Sequence, residues 1–123
     1  MDLSKTKVTD EGLKELPPLK SLIALHLSYM EVGDAGVKAL ASLTNLQELT
    51  LFETKVTDAG LKELAPHKNL THLDLSHTKV GDAGLKELAH FTNLQQLILF
   101  RTEVSDMGVQ ELEKALPRCK IIR

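Results

Sequence analysis

Tryptophan is absent, and aromatic residues of all kinds make up 3% of the 123-residue chain. A fold packed around a few large rings is therefore excluded, and any core has to be built from many similar aliphatic side chains. Cysteine occurs once, as Cys119, so this chain can form neither an internal disulfide nor a cysteine-based zinc cluster. Neither charge sign dominates. With 15 basic and 17 acidic residues the net charge is −2, and the basic footprint that nucleic acid demands is missing. No apolar run approaches the roughly 18 residues that span a bilayer. Met1 to Asp10 is polar and includes Asp2, which does not suit a secretory leader. These absences point to one cytoplasmic domain with no nucleic-acid or membrane partner and no cofactor, unless a targeting segment has been lost from a longer chain.

Leucine is abundant, at about a fifth of the chain. Its distribution is periodic. A shift of 24 residues aligns the sequence with itself without gaps. Leu22, Leu46, Leu70 and Leu94 fall in one column; Leu25, Leu49, Leu73 and Leu97 in another; Leu27, Leu51, Leu75 and Leu99 in a third. Columns of valine (Val8 to Val104), aspartate (Asp10 to Asp106), glycine (Gly12 to Gly108) and leucine (Leu16 to Leu112) complete each unit. A longer period of 48 lies over the first, pairing Thr44-Asn45-Leu46-Gln47 with Thr92-Asn93-Leu94-Gln95 and Leu51-Phe52 with Leu99-Phe100. Duplication of a two-repeat unit explains it.

Each unit reads as two pieces. The Leu-x-x-Leu-x-Leu run, as in Leu70 to Leu75, ends in the alternation of a strand. The following Asp-Ala-Gly-Leu-Lys-Glu-Leu-Ala segment, as in Asp58 to Ala65, places Leu61, Leu64 and Ala65 on one helical face, with Lys62 and Glu63 turned to solvent. Either Asp58 or Thr57 could cap that helix. A glycine such as Gly60 is costly early in a helix, so its recurrence implies close approach to the neighbouring coil. Asn45, Asn69 and Asn93 mark the turn returning to the strand. One unit cannot bury its own apolar face; stacked units bury the leucine columns against each other, with strands pairing in parallel about 4.8 Å apart.

The segment Leu70-Thr71-His72-Leu73-Asp74-Leu75-Ser76-His77-Thr78-Lys79-Val80 resembles the leucine-rich repeat consensus. The Val-Thr-Asp-Ala-Gly-Leu continuation, Val56 to Leu61, is similar to the 24-residue cysteine-containing and ribonuclease-inhibitor-like subclasses, found in bacterial repeat proteins and F-box substrate receptors. The resemblance implies an α/β fold: a right-handed leucine-rich repeat solenoid with a parallel concave sheet and helices on the convex side. Thr, or Met30 in one repeat, stands where the family usually places Asn or Cys. A ladder of hydroxyls is therefore expected, broken at Met30. A partial first repeat covers residues 1–21, full repeats run over about 22–45, 46–69, 70–93 and 94–117, and a cap strand over 118–123. Asp106 to Leu116 should form a longer helix with Val109, Leu112, Ala115 and Leu116 on one face, stopped by Pro117. Cys119 reads as a small apolar side chain. Because Leu3 aligns with Leu27, the first unit is incomplete, and self-association through that uncapped N-terminal end is expected to be open to the chain.

Function in such an architecture falls on the outward strand positions. Alternation gives Ala24, His26 and Ser28; Glu48, Thr50 and Phe52; His72, Asp74 and Ser76; and Gln96, Ile98 and Phe100. Tyr29, Glu53, His77 and Arg101 lie just beyond. Three of the four aromatics, Tyr29, Phe52 and Phe100, map outward, and outward hydrophobic residues are the informative ones. The expected role is a protein-binding scaffold, not an enzyme. Tyr29, Phe52, Phe100, Ile98 and Arg101 would anchor a protein partner, and Glu48, Glu53, His72, Asp74 and His77 would set selectivity. The main competing reading is a set of spacer repeats from a larger protein. His72, Asp74 and His77 match no zinc or calcium spacing, and an open strand surface supplies no oxyanion hole. Phe91 is expected in the core or on the convex side, and His67 and His90 on the surface.

Overall fold

The computed structural model describes all 123 residues. After a short helix α1 (Asp10–Leu13), strands and helices alternate: β1 (Ala24–His26), α2 (Asp34–Ala39), β2 (Glu48–Thr50), α3 (Asp58–Glu63), β3 (His72–Asp74), α4 (Asp82–Leu88), β4 (Gln96–Ile98), α5 (Asp106–Ala115) and β5 (Lys120–Ile122). The strands form one parallel sheet in the order β1-β2-β3-β4-β5. Its register is the sequence period: Leu25 pairs with Leu49, Leu49 with Leu73, and Leu73 with Leu97. At the outer edge of β1, Asp2 forms a parallel bridge to His26. Each coil is one repeat, and no helix is long and apolar enough to cross a membrane.

The core is a single cluster of 27 buried hydrophobic residues, made almost wholly from the repeat columns. Residues in or just after the strands, such as Leu49, Leu51, Leu73 and Leu75, share this core with residues in or just after the helices, such as Val37, Leu61, Leu64 and Leu85. At the helix-to-strand turn, Asn45, Asn69 and Asn93 donate their side-chain amides to the carbonyls of Lys20, Thr44 and Lys68 in the preceding coil at 2.8–3.0 Å. The turn residues thus also clamp neighbouring coils.

The aspartate column does the same at the helix starts. Asp34 accepts the Thr57 backbone N–H at 2.8 Å and its hydroxyl at 2.6 Å; Asp82 binds Ser105 in the same two ways, at 2.8 and 2.6 Å. Asp10 and Asp58 face Gly33 and Gly81, which lack a hydroxyl, and accept only the backbone N–H, at 2.9 and 2.7 Å. The longer period of 48 thus alternates double and single clamps. The aspartate is the first residue of its helix and points to the next coil, so it does not cap its own helix. Among the preceding residues only Ser105 caps with its side chain, accepting the Gly108 N–H. The close approach inferred for the glycine column is this carboxylate: a Cβ on Gly36, Gly60, Gly84 or Gly108 would lie 2.2–2.5 Å from an oxygen of the preceding coil's aspartate.

Five expectations need correction. His67 is not a surface residue: it is fully buried in the column of Leu43 and Phe91, both core residues. The threonine column forms no hydroxyl ladder between coils, because Thr6, Thr54, Thr78 and Thr102 each donate to a carbonyl three residues back in their own coil, that of Leu3, Leu51, Leu75 and Leu99 respectively; the one contact between coils in the column is Thr6 Oγ1 to Met30 Sδ at 3.9 Å. Ala65 and Ala115 face solvent, so Leu61 and Leu64 are buried without Ala65, and α5 buries Val109 and Leu112, with Leu116 buried just beyond its end. Glu63 is half-buried, although Lys62 is exposed as expected. Cys119 is half-buried and packs against the core, and burial pushes its thiol above the ordinary range.

Every coil leaves its strand through one residue in the left-handed region: Lys5, Tyr29, Glu53, His77 and Arg101, with φ of 51 to 61°. None is glycine, so each carries a cost of about 1–2 kcal/mol. Glu53→Gly is therefore expected to stabilise the fold by about 0.5 kcal/mol, the relieved strain outweighing the added freedom of the unfolded chain. Glu53→Val should cost more than 1 kcal/mol, since a β-branched side chain tolerates this region worst. Thermal melts of the two variants read the difference; equal melting points would show that the turn is not strained.

Candidate partner-binding face

The outward strand positions form the concave surface. Backbone pairing continues past each strand into the strained turn: Tyr29 N–H donates to Phe52 O, Glu53 to Ser76 and His77 to Phe100, at 2.8–2.9 Å. Successive turn residues are therefore held at the spacing of paired strands, and their side chains are forced together at the rim. Tyr29 meets Phe52 edge-on, with ring centroids 4.9 Å apart and planes at 63°. Phe52 meets His77 at 4.8 Å and 47°. The Lys5 ammonium lies 5.2 Å from the Tyr29 centroid, within cation–π range. The result is one continuous row, Lys5–Tyr29–Phe52–His77, crossing four coils.

Phe100 stands apart from this row at 48% exposure, matching Tyr29 at 48%. Phe52 thus finds its ring neighbours in the turn column of the flanking coils and not in Phe100, with which it shares a strand column. Between the two phenylalanines Ser76 is buried, and its hydroxyl accepts the Phe100 N–H at 3.2 Å. Lys5 is the residue the sequence reading missed. Its signal was its column, one period before Tyr29.

The other candidates lie in the centre of the sheet. Glu48, Thr50, His72, Asp74, Gln96 and Ile98 line a shallow concavity of about 190 Å³, floored by Leu49 and Leu73. Asp74 is half-buried and accepts the Ser76 N–H at 2.9 Å, which fixes the chain as it leaves the strand. His72 Nδ1 lies 2.9 Å from the Thr71 hydroxyl, and His26 Nδ1 lies 3.0 Å from that of Thr50. Glu48, Glu53 and Arg101 are exposed, and Ile98 and His77 are half-buried. None of the ten candidates lies in the core. No group of three or more His, Cys, Asp or Glu side chains is placed to hold a metal ion.

This stack of coils, with its inward leucine columns and outward strand face, defines a leucine-rich repeat solenoid. The chain belongs to the leucine-rich repeat family: the family model described as "Leucine Rich repeat" matches residues 19–41, 42–65 and 67–89. Among solved structures it is similar to internalin C2 from Listeria monocytogenes, with 29% identity, a TM-score of 0.74, and coverage of 88% of this chain and 44% of that one. It is also similar to a leucine-rich repeat protein of Leptospira interrogans, with 28% identity, a TM-score of 0.70, and coverage of 89% and 27%. A further Listeria monocytogenes internalin, 16% identical over 98% of this chain and 39% of that one, shares the fold at a TM-score of 0.66. The chain thus spans less than half the length of these structures. None of the curated protein sequences matches it.

Proposed function

We propose that the chain is a protein-binding scaffold whose concave face makes the contact. Tyr29, Phe52, Ile98, Phe100 and Arg101 anchor the partner, and Glu48, Glu53, His72, Asp74 and His77 tune its selection. The observation that carries this reading is the row of rings at the rim. Aromatic side chains are nearly absent from the protein, yet the row holds two of them: exposed Tyr29, on a backbone turn that disfavours any side chain, and half-buried Phe52 packed between Tyr29 and His77. Exposed aromatics flanked by Arg and mixed polar groups are the usual anchors of protein interfaces. The family, whose repeats typically serve as interaction scaffolds, fits the same reading.

Phe52→Ala combined with Phe100→Ala is expected to weaken capture of the partner about thirtyfold, in line with loss of hot-spot residues, while the variant stays folded with a modest fall in unfolding midpoint from loss of the half-buried Phe52 ring. Pull-down from the source organism with wild type and double variant in parallel reads this; undiminished capture by a folded variant would refute it. The greater length of the structural neighbours favours a second reading, in which these are spacer repeats of a longer protein, such as a ligase substrate receptor or an effector. The 24-residue period and α-helical convex side support membership of the ribonuclease-inhibitor-like subclass. Exposed Met1, Leu19 and Ile23 near the first coil support self-association there, and a monomer in sedimentation at high concentration would count against it. A cytoplasmic setting completes the proposal.

A further inference from the structure

One buried polar side-chain atom in the protein has no partner, Nε2 of His67. The residue is fully buried, between a coil that places Leu43 in its column and a coil that places Phe91 there. Its Nδ1 lies 3.1 Å from the Leu43 carbonyl oxygen across the coil boundary. A carbonyl can only accept, so Nδ1 carries the proton and Nε2 is the bare lone pair of a neutral ring. The neutral ring pins one coil to the next, as the asparagines do at the adjoining turn. A charged ring would place its second N–H in a space that offers no acceptor, at a high desolvation cost.

No counter-charge is placed to offset that cost. On this side of the three packed coils, the charged and titratable side chains are Lys38 in the preceding coil, Lys62, Glu63 and Lys68 in its own, and Lys86, Glu87 and His90 in the following one. All are exposed or half-buried, and none bonds to the ring. Burial lowers the His67 pKa from the ordinary value of 6.5, and the Leu43 carbonyl opposes that shift.

We propose that His67 is an acid-sensitive catch in the solenoid: its neutral ring pins the Leu43 and His67 coils together, and uptake of one solvent proton at Nε2 opens the stack between them. The sign follows from the ring's resistance to protonation in the folded state. Below about pH 6.5 the unfolded chain binds more protons than the folded one. The stabilising contribution is therefore full above that pH and is lost as pH falls from about 6.5 toward the lower folded value. For one proton the loss is at most tenfold in the opening constant per pH unit. The carboxyls of Asp2 and Asp82 are also held low, by the Ser4 and Ser105 side-chain and backbone bonds, but their contributions fade only below the ordinary carboxylate value of 3.8. The window from pH 7 to pH 5 separates the five histidines from the carboxyls, and the His67 variants separate His67 from the other four.

The test is amide hydrogen exchange and urea unfolding of the full chain at pH 7 and pH 5, with ring NMR of His67. The informative amides are His67, Leu70 and Thr71, which donate to the carbonyls of Leu64, His67 and Gln47 at 2.8, 3.2 and 2.8 Å. In wild type their opening constants, corrected for intrinsic exchange, should rise several-fold at the lower pH, and the ring should titrate below the ordinary histidine midpoint. His67→Leu and His67→Phe each copy a residue of the same column in an adjacent coil, and both should remove the pH dependence. An unchanged pH dependence in a folded variant, or a ring that titrates at the ordinary midpoint, would overturn the proposal. If both variants fail to fold, the wild-type ring titration alone decides.

Discussion

Leu73→Ala is expected to remove about 3 kcal/mol of folding stability. Leu73 lies in the middle strand, 2% exposed, paired in register with Leu49 on one side and Leu97 on the other. Truncation leaves a cavity that neither neighbour can fill, because both are fixed by strand pairing. In a stack of repeats each coil is stabilised mainly by its two neighbours. A defect at the centre therefore weakens two interfaces, and one at the end weakens only one. Ile121→Ala supplies the contrast. Ile121 pairs with Leu97 in the last strand and is half-buried, so its truncation should cost nearer 1 kcal/mol. Against a total of about 5–15 kcal/mol for a domain of ordinary stability, the central change consumes a large share and the terminal one does not. Urea unfolding of the two variants measures the difference; equal losses would mean that the coils do not couple through nearest neighbours.

The repeat made most of the architecture legible. Once Leu25, Leu49, Leu73 and Leu97 fell in one column, the sheet register followed, and β1 to β4 lie where those columns put them. Errors arose where a residue's type was weighed above its column. His67 is polar, and polarity suggested the surface. Its column, shared with Leu43 and Phe91, was the better guide, since stacking buries a position whatever side chain stands there. The threonines erred the other way. A shared column suggested bonding between coils, but a hydroxyl three residues beyond a carbonyl of its own coil reaches that acceptor first. At the candidate site, alternation gave the outward residues, yet not which of them touch. The contact of Phe52 with Tyr29 and His77 runs diagonally across coils. It depends on the left-handed turn that aims those two rings, and residues of that turn carry no glycine or asparagine to announce it.

Gly60→Val is expected to cost about 4 kcal/mol, the largest effect of any single change considered. Helix propensity argues for the opposite sign, since glycine in a helix interior costs about 1 kcal/mol against alanine and somewhat less against valine. Packing decides the outcome. A Cβ at Gly60 would lie 2.5 Å from Asp34 Oδ1 and 2.9 Å from Val56 Cγ1. The carboxylate cannot swing away freely, because it accepts both the backbone N–H and the hydroxyl of Thr57. Forcing it out forfeits hydrogen bonds to a charged group, worth about 1.5–3 kcal/mol, and overpacking adds about 1–3 kcal/mol. Asp34→Ala alone loses the clamp but leaves the Thr57 groups half-exposed and open to water, so it should cost only about 1–2 kcal/mol. The decisive measurement is the double-mutant cycle. With the carboxylate gone, the nearest obstacle to a side chain at position 60 is removed, and valine there should cost at least 1 kcal/mol less than in the wild-type background. Additive losses would mean that the glycine column exists for some reason other than the aspartate clamp, and the link between these two columns, 26 residues apart in sequence, would have to be abandoned.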